Sequence, residues 1–301
     1  MGHKVLALGR SKKPPSKLLE FANYRSIDIV DIVPDLECKI CIHCAGLATD
    51  KEPAQSLNRI NISGTQNVFD HIHCDHFIYL SSASVYPPTG VLHTEEEIID
   101  ETKLSAYGFS KLKAEQYLLQ QTTGQKITII RPRAVYGIGD RILLPRILRL
   151  KKGPLLITPA MLNYNISITN IENLMYATDK VISQDQNRAA VYNVVDDTGQ
   201  TLEEMIKKIF QLLDFKPSMH FKIPQRLLLL LGKLFPYSDI NSNTLKYYLC
   251  HHQLSNLKIK QALQVDFPSN FSNYKNKYQA WIQKIGIEAL KTTNADLSWW
   301  I

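Results

Sequence analysis

Short runs of apolar residues recur along the first two thirds of the chain, and longer amphipathic stretches separate several of them. The short runs have the length and β-branched content of strands, whereas the longer stretches have the spacing of helices. The predicted strands are 5–8, 27–32, 40–44, 77–81, 127–130 and 191–195, and the predicted helices are 55–71, 105–121 and 170–183. This alternation predicts an α/β fold in which a parallel sheet is covered by helices on both faces.

After residue 198 the pattern changes to helices with proline breaks and little strand signal. We therefore predict two parts, a nucleotide-binding domain from 1–140 and 166–197 and a smaller, mainly helical substrate lobe from 141–165 and 198–301. Two stretches, 141–152 and 224–236, combine leucines with basic residues or prolines. Such stretches form core helices, the walls of an apolar pocket, or contacts with a membrane surface. No apolar run is long enough to predict a transmembrane helix.

The composition is that of a globular protein: 301 residues, 45% hydrophobic and 21% charged, with a formal net charge of +7. The positive charge suits a phosphate-bearing partner, although a basic solvated surface is the more common explanation. No basic motif interleaved with aromatic residues is present, so we predict no nucleic-acid partner. The absence of a signal peptide pattern and the odd number of cysteines predict a cytoplasmic protein.

Cys38, Cys41 and Cys44 form a CxxCxxC motif that first suggests zinc or an iron–sulfur cluster. However, this segment reads as a buried strand, on which residues three apart point to opposite faces. One strand cannot direct all three sulfurs at one ion, and we predict no metal site.

Tyr107 and Lys111 form a YxxxK motif, which places the two side chains one turn apart on a helix. A phenol titrates near pH 10, so an adjacent ammonium can make it a useful acid or base. Tyr176 and Lys180 have the same spacing, but only Tyr107 has a serine, Ser82, 25 residues upstream at the end of a predicted strand. A hydroxyl at the carboxyl end of a parallel strand lies where such sheets bind ligands.

In several such segments the chain resembles the extended short-chain dehydrogenases/reductases, which include NAD-dependent epimerases, dehydratases and 3β-hydroxysteroid dehydrogenase-like enzymes. The resemblance covers roughly residues 1 to 200. It is carried by the segments 43–46, 61–65, 80–86, 107–111 and 131–137.

The resemblance implies that Ser82 orients a substrate carbonyl or hydroxyl and that Tyr107 is the general acid or base. Lys111 lowers the pKa of Tyr107 and holds the nicotinamide ribose. The implied cofactor contacts are Asp31 and Ile32 near the adenine, Ala45 and Gly46 on the adenosine side, Asn61 from its helix, and Pro132 and Val135 at the nicotinamide. It also implies that homodimers can form through the helix that carries Tyr107.

The family opens with a strand and a GxxGxxG loop whose helix holds the pyrophosphate, and this element is not found here. No glycine follows Gly9 until Gly46. The strand at 5–8 resembles the family's second strand, so we expect a Rossmann-like, doubly wound sheet without its first β-α unit. Since that strand is central in the sheet, we expect a gap and weakened cofactor binding.

For the cofactor and the substrate, the sequence favours one choice and leaves alternatives open. Arg10 and Ser11 follow the first predicted strand, where NAD-binding members commonly have an acid, and the basic loop favours NADP slightly over NAD. Ile166 stands where nucleotide-sugar enzymes usually have an arginine. We therefore expect NAD(P)-dependent oxidation or reduction of a small, hydrophobic, sterol- or keto-acid-like substrate. The alternatives are a nucleotide-sugar epimerase or dehydratase, and a degenerate nucleotide-binding protein without catalysis.

Overall fold

The computed structural model of the protein describes residues 2–31, 33–122, 124–184, 189–235 and 242–291, with backbone alone at 242–244. The strands are β1 Leu6–Gly9, β2 Asn23–Ser26, β3 Leu36–His43, β4 Ile72–Leu80, β5 Leu92–His93, β6 Lys126–Pro132, β7 Val135–Tyr136, β8 Lys151–Lys152, β9 Leu155–Pro159, β10 Asn165–Ile166, β11 Thr169–Asn170, β12 Ala189–Val194, β13 Gln200–Thr201, β14 Met219–Ile223 and β15 Gln253–Leu254. The helices are α1 Ser16–Leu19, α2 Ala54–Leu57, α3 Gly64–His71, α4 Ala106–Leu119, α5 Leu143–Leu148, α6 Ile171–Ser183, α7 Leu202–Leu212, α8 Gln225–Leu234, α9 Ser242–Tyr248, α10 Leu257–Leu263, α11 Phe271–Ile285 and α12 Ile287–Lys291.

Four parallel strands form the main sheet, in the order β12, β6, β4, β3. Successive side chains of β4 point to opposite faces. Phe77 and Tyr79 pack in a cluster with side chains of α3 and α4, whereas Ile78 packs in another with side chains of α6 and α10. Helices therefore cover both faces, and the predicted α/β class with its parallel sheet is confirmed.

β1 and β2 form a separate parallel pair. Leu8 of β1 packs against the same core cluster as Leu36 and Cys41 of β3, yet within the described residues β1 and β3 share no hydrogen-bonded register. The sheet is thus in two pieces that border one cluster. The interpretation that a β-α unit with a glycine-rich loop is lacking stays a prediction.

One predicted strand is misplaced. Residues 27–31 form a turn, and the strand lies earlier, at β2. Asp28 explains the turn, because its carboxylate accepts the backbone N–H of Val30 at 3.2 Å and its carbonyl accepts that of Asp31 at 3.1 Å. Ile27 and Ile29 are apolar because they pack against the core cluster, not because they alternate in a strand.

The predicted helices agree closely with the structure. The stretch 55–71 is helical as α2, a π-helical segment Asn58–Ser63 and α3, while 105–121 and 170–183 correspond to α4 and α6. The stretch 141–152 contains the short helix α5, which begins before Pro145, and the two-residue strand β8.

The later part of the chain contains more strand than predicted, since β14 pairs in parallel with β9 along five residues. Its largest core cluster joins α5, α7 and α11 around Leu144, Met205 and Tyr278. The division into two domains stays a prediction.

The leucine-rich segment 224–236 contains the helix α8, on which Leu227, Leu230 and Leu234 are exposed. Within the part of the chain that the structure describes, no helix combines the length and apolarity that crossing a bilayer needs. Contact of this segment with a membrane surface stays an untested alternative.

Candidate active site

Ser82 lies two residues after the end of β4, at the carboxyl end of the sheet. Its hydroxyl accepts the backbone N–H of Ser84 at 3.1 Å and donates to the Ser84 hydroxyl at 3.2 Å. These bonds make Ser82 the cap of a short 3₁₀ turn, Ala83–Val85. The neighbouring Ser81 N–H donates to the carbonyl of Ile130 at 2.8 Å, so the turn leaves the sheet from a fixed position.

Tyr107 lies in the first turn of α4, and two side chains hold that turn. Ser105 caps the helix by accepting the N–H of Gly108 at 3.1 Å. Asp50, from the loop after β3, accepts the backbone N–H of Tyr107 at 3.2 Å. Burial raises the pKa of Asp50. The sequence did not indicate Asp50.

Lys111 is buried one turn further along α4. Its ammonium donates to the carbonyl of Leu80 at 2.7 Å and lies 4.2 Å from the centre of the Tyr79 ring. Burial lowers the pKa of Lys111 to about 8, and the charge of Glu115 opposes this shift. The ammonium thus ties the helix of Tyr107 to the strand end that leads into Ser82.

The pKa of Tyr107 is raised in this structure, whereas the family resemblance implies that Lys111 lowers it. Burial raises the pKa of Tyr107 to about 12, the Ser82 hydroxyl partly opposes this rise, and Asp50 adds to it. The Lys111 ammonium is directed at the Leu80 carbonyl. With its pKa raised to about 12, the phenol is protonated at neutral pH.

Ser82 and Tyr107 both line a cavity of 860 Å³. Pro132 and Val135, predicted to lie at the nicotinamide, line the same cavity. The structure thus brings four of the predicted site residues together, with Lys111 behind the Leu80 wall. The lining also includes Asp50, Tyr247 and Tyr248, which sequence reasoning did not indicate. It further includes Arg133, from the 131–137 segment, and Arg141 and Arg146, from the stretch 141–152 for which a pocket wall was one of the expected roles.

Asn61 is a buried link between two elements. Its carboxamide accepts the N–H of Leu47 at 2.7 Å and donates to the Leu47 carbonyl at 3.0 Å and to the Ser110 hydroxyl at 2.9 Å. A Cβ at Gly46 would lie 2.9 Å from the Asn61 oxygen, which explains the glycine there. Asn61 therefore joins the loop after β3 to α4.

The remaining predicted cofactor residues that the structure describes lie apart from the cavity lining. Arg10 and Ser11 are exposed in the loop after β1, where the Ser11 hydroxyl donates to the Lys13 carbonyl at 2.7 Å. Asp31 is exposed, and its carbonyl accepts from the Asn67 carboxamide at 2.5 Å. Ala45 is exposed beside Gly46, and Ile32 lies outside the described residues.

A buried ion pair between Glu115 of α4 and Arg131 of β6 anchors α4 to the sheet. The guanidinium of Arg131 donates to the Glu115 carboxylate from Nε at 3.0 Å and to the Tyr86 hydroxyl from Nη1 at 2.7 Å. Tyr86 in turn donates to Asn193 at 2.9 Å. This network joins α4, β6, β12 and the serine-containing loop, so it fixes the elements on which Ser82 and Tyr107 stand.

The CxxCxxC cysteines lie on β3 and just after it, with Cys38 and Cys44 exposed and Cys41 partly buried. Over the described ranges, no group of three His, Cys, Asp or Glu side chains is arranged as around a metal ion.

Solved structures with this architecture are known. The chain superposes on UDP-glucose 4-epimerase from Thermotoga maritima, determined with UDP-glucose, with a TM-score of 0.72 over 94% of this chain and 92% of that one, at 18% identity. At this level of identity the comparison shows a shared fold.

Two relatives are more similar in sequence. UDP-glucose 4-epimerase of Vibrio cholerae is 29% identical over 216 residues, covering 67% of this chain and 65% of that protein. The decarboxylating sterol-4-alpha-carboxylate 3-dehydrogenase of Schizosaccharomyces pombe is 30% identical over 165 residues, covering 50% of this chain and 46% of that protein. The chain therefore spans less than two thirds of the length of either relative.

The family match is broader. Residues 1–194 match the model of the NAD dependent epimerase/dehydratase family, which agrees with the parallel sheet and with the resemblance noted from the sequence. This chain belongs to the NAD dependent epimerase/dehydratase family.

Proposed function

We propose that this chain is an NAD(P)-dependent oxidoreductase that interconverts a hydroxyl and a ketone on a small, largely apolar substrate of sterol or keto-acid type. The observation that carries the proposal is the shared cavity of Ser82 and Tyr107, which come from different elements to the carboxyl end of the sheet.

Each residue has a distinct role. Ser82 donates a hydrogen bond to the substrate oxygen. Tyr107, whose pKa of about 12 keeps it protonated at neutral pH, gives its proton to that oxygen as a ketone is reduced. Lys111 holds α4 against the strand end through Leu80.

The residues present fit the nicotinamide end of NAD(P). Pro132 and Val135 form a wall of the cavity beside Tyr107, and Lys111 lies one helical turn from it. When bound, NAD(P) supplies the hydride donor or acceptor. At the other end, the basic loop of Arg10 and Ser11 supports NADP over NAD.

The decisive experiment compares two tyrosines that share one motif. Tyr107→Phe is expected to abolish NADPH-dependent reduction of β-keto acids or sterol ketones, because it removes the proton donor. Tyr176→Phe is the matched control: Tyr176 also has a lysine four residues on, with Lys180 5.4 Å from its ring, but it lies outside the cavity lining. Equal loss in both variants, or none in Tyr107→Phe, would refute the proposal.

Two alternatives have their own outcomes. Similarity to the Vibrio epimerase and the three arginines in the cavity favour a nucleotide-sugar epimerase as second candidate. Epimerisation of a UDP- or dTDP-sugar without net change in the cofactor would establish it. A non-catalytic nucleotide-binding protein would bind NADPH, as measured by fluorescence titration. It would turn over none of the β-keto acids, sterol ketones or nucleotide sugars.

We also propose that the chain acts in the cytoplasm as a homodimer formed through α4. Sedimentation equilibrium of the wild type tests this, and a monomeric mass at all concentrations would refute it.

A further inference from the structure

Arg133 is a buried cation at the end of β6 that also lines the active-site cavity. Its backbone N–H donates to the Thr169 hydroxyl at 3.0 Å, which fixes where its side chain begins. The residue belongs to the 131–137 segment, yet the proposed hydride and proton transfers give it no role.

Among the described residues, the hydrogen-bond partners of its guanidinium are neutral groups. Nε donates to His252 Nδ1 at 3.0 Å, and Nη2 donates to the Tyr247 carbonyl at 3.1 Å. No carboxylate of the described residues forms an ion pair with Arg133, whereas Arg131, two positions earlier, is paired with Glu115. A buried charge without a counterion is costly, so such a charge is commonly matched by a ligand.

The surroundings increase the positive potential. Arg146 and Arg133 lie against the same ring of Tyr248, with guanidinium carbons 5.7 Å and 5.8 Å from its centre. Burial lowers the pKa of Arg133, and the charge of Arg146 lowers it further, but a guanidinium remains protonated at neutral pH. Arg141 adds a third cation to the lining.

Two carboxylates also line the cavity, and the protein uses both. Asp140 accepts the N–H groups of Ile142, Leu143 and Leu144, so it caps α5. Asp50 accepts the N–H of Tyr107. Neither forms an ion pair with Arg133.

One nitrogen of Arg133 is open to a ligand. Within the described part of the chain Nη1 donates to no protein atom, and it is not among the fully buried polar atoms without a partner. The residue lines the cavity, which is the side from which a ligand would reach it. A guanidinium edge matches the two oxygens of a carboxylate or phosphate.

We propose that Arg133 binds an anionic group of the substrate, a carboxylate or a phosphate, inside the active-site cavity. This deepens the proposed function and rests on it. Tyr247 connects the two subsites, because its carbonyl accepts from Arg133 and its hydroxyl donates to the Ser84 carbonyl at 3.1 Å. The anion-binding group is thereby fixed relative to the serine-containing turn that positions Ser82.

The first test uses the wild type and three probes in calorimetric titrations. Acetoacetate carries a carboxylate, methyl acetoacetate is its neutral ester, and inorganic pyrophosphate represents a phosphate group. Acetoacetate or pyrophosphate is expected to bind at least about tenfold more tightly than the ester, and the tighter of the two identifies the anion. Equal affinity for the acid, the ester and pyrophosphate would overturn the proposal.

The second test replaces the guanidinium. Arg133→Gln is expected to weaken anion binding by about ten- to a hundredfold and to leave binding of the ester unchanged. Arg133→Lys keeps a charge and should retain part of the anion preference. Arg149→Gln is the control, because Arg149 donates to the Lys291 carbonyl at 3.0 Å, outside the cavity lining.

The outcomes separate this proposal from the proposed function. If Arg133→Gln binds anions as the wild type does, the anion subsite is wrong, even where reduction of the neutral ester proceeds. If Tyr107→Phe retains full turnover, the oxidoreductase assignment is wrong, even where Arg133 proves to bind anions. Should Arg133→Gln fail to fold, the wild-type probe comparison and Arg133→Lys still decide the matter.

Discussion

Gly108 lies directly against Ser84: a methyl group on its α-carbon would overlap the Ser84 carbonyl oxygen. Gly108 is on α4, next to Tyr107, and Ser84 is in the turn capped by Ser82. The helix and the turn are therefore in close backbone contact, with no room for a side chain at Gly108. This contact sets the separation of the proposed acid and the proposed hydrogen-bond donor.

Gly108→Ala should push α4 away from this turn. We expect loss of at least about 2 kcal/mol of stability through overpacking and loss of most activity. Gly124→Ala is the control, because a Cβ there meets no atom within 4 Å. Urea unfolding and turnover of both variants test this, and a Gly108→Ala enzyme with wild-type activity would contradict the argument.

Ala134 has a φ of 42°, in the left-handed region that favours glycine. Ala134→Gly should stabilise the protein by about 0.5–1 kcal/mol, since relief of strain exceeds the entropy cost of glycine. Ala134→Val should destabilise it, because a β-branched residue tolerates this conformation least. In thermal unfolding the melting temperature should fall from Ala134→Gly through the wild type to Ala134→Val. Any other order would argue against backbone strain at this position.

Asp140 makes stability depend on pH. Burial raises its pKa from 3.8 to about 6, so between these values the folded state binds more protons than the unfolded state. Below pH 3.8 the contribution of Asp140 to the free energy of unfolding is fully present. As pH rises to about 6 that contribution is lost, and the loss amounts to up to about 3 kcal/mol. Asp196, also raised to about 6, adds a similar slope.

Asp140→Asn should therefore flatten the fall in unfolding free energy between about pH 4 and 6, measured by urea titration at each pH. Asp179→Asn, on the exposed side of α6, is the control and should keep the wild-type slope. An unchanged slope in Asp140→Asn would show that other groups cause it.

Lys111 should limit activity at alkaline pH. Because burial lowers its pKa to about 8, the ammonium loses its proton as pH rises through that value. If the charge is needed, kcat/KM falls above about pH 8, and Lys111→Met is about a hundredfold or more less active and lacks that step. A variant that keeps the alkaline fall would assign it to another group.

Glu115, in a buried ion pair, should contribute far more to stability than Glu101, in a partly exposed one. Glu115→Gln breaks the buried pair with Arg131 and should cost about 3–5 kcal/mol. Glu101→Gln breaks a partly exposed pair with Lys113 and should cost about 1 kcal/mol or less. Similar costs in chemical denaturation would mean that the Arg131 network is not a structural support.

The sequence predicts most of the sheet and part of the site. Local patterns place α4 and α6 within two residues at each end, and YxxxK with an upstream serine indicates Tyr107 and Ser82. The prediction of a strand at 27–32 is wrong because the apolar residues there are packed against the core from a turn. Asp28 stabilises that turn through its hydrogen bonds. The pKa of Tyr107 is not predictable from spacing, since it depends on burial and on where the Lys111 ammonium points.

Other parts of the site depend on contacts between distant residues. Arg133 meets Tyr247 and His252 across more than a hundred positions of the chain, and nothing in the local pattern indicates this. Asp50 reaches Tyr107 over 57 positions. Such pairs follow from how the elements are packed, which periodicity does not encode.

The two-part sheet has a consequence for solvent exchange. In the described structure β3 has a neighbour on one side alone, so the amide groups that point away from β4 have no ladder partner. Deuterium should enter β3 at every second amide within the earliest labelling times, while β4, bonded on both sides, should stay protected. An alternating isotope pattern along residues 36–43 would be the signature of that open edge.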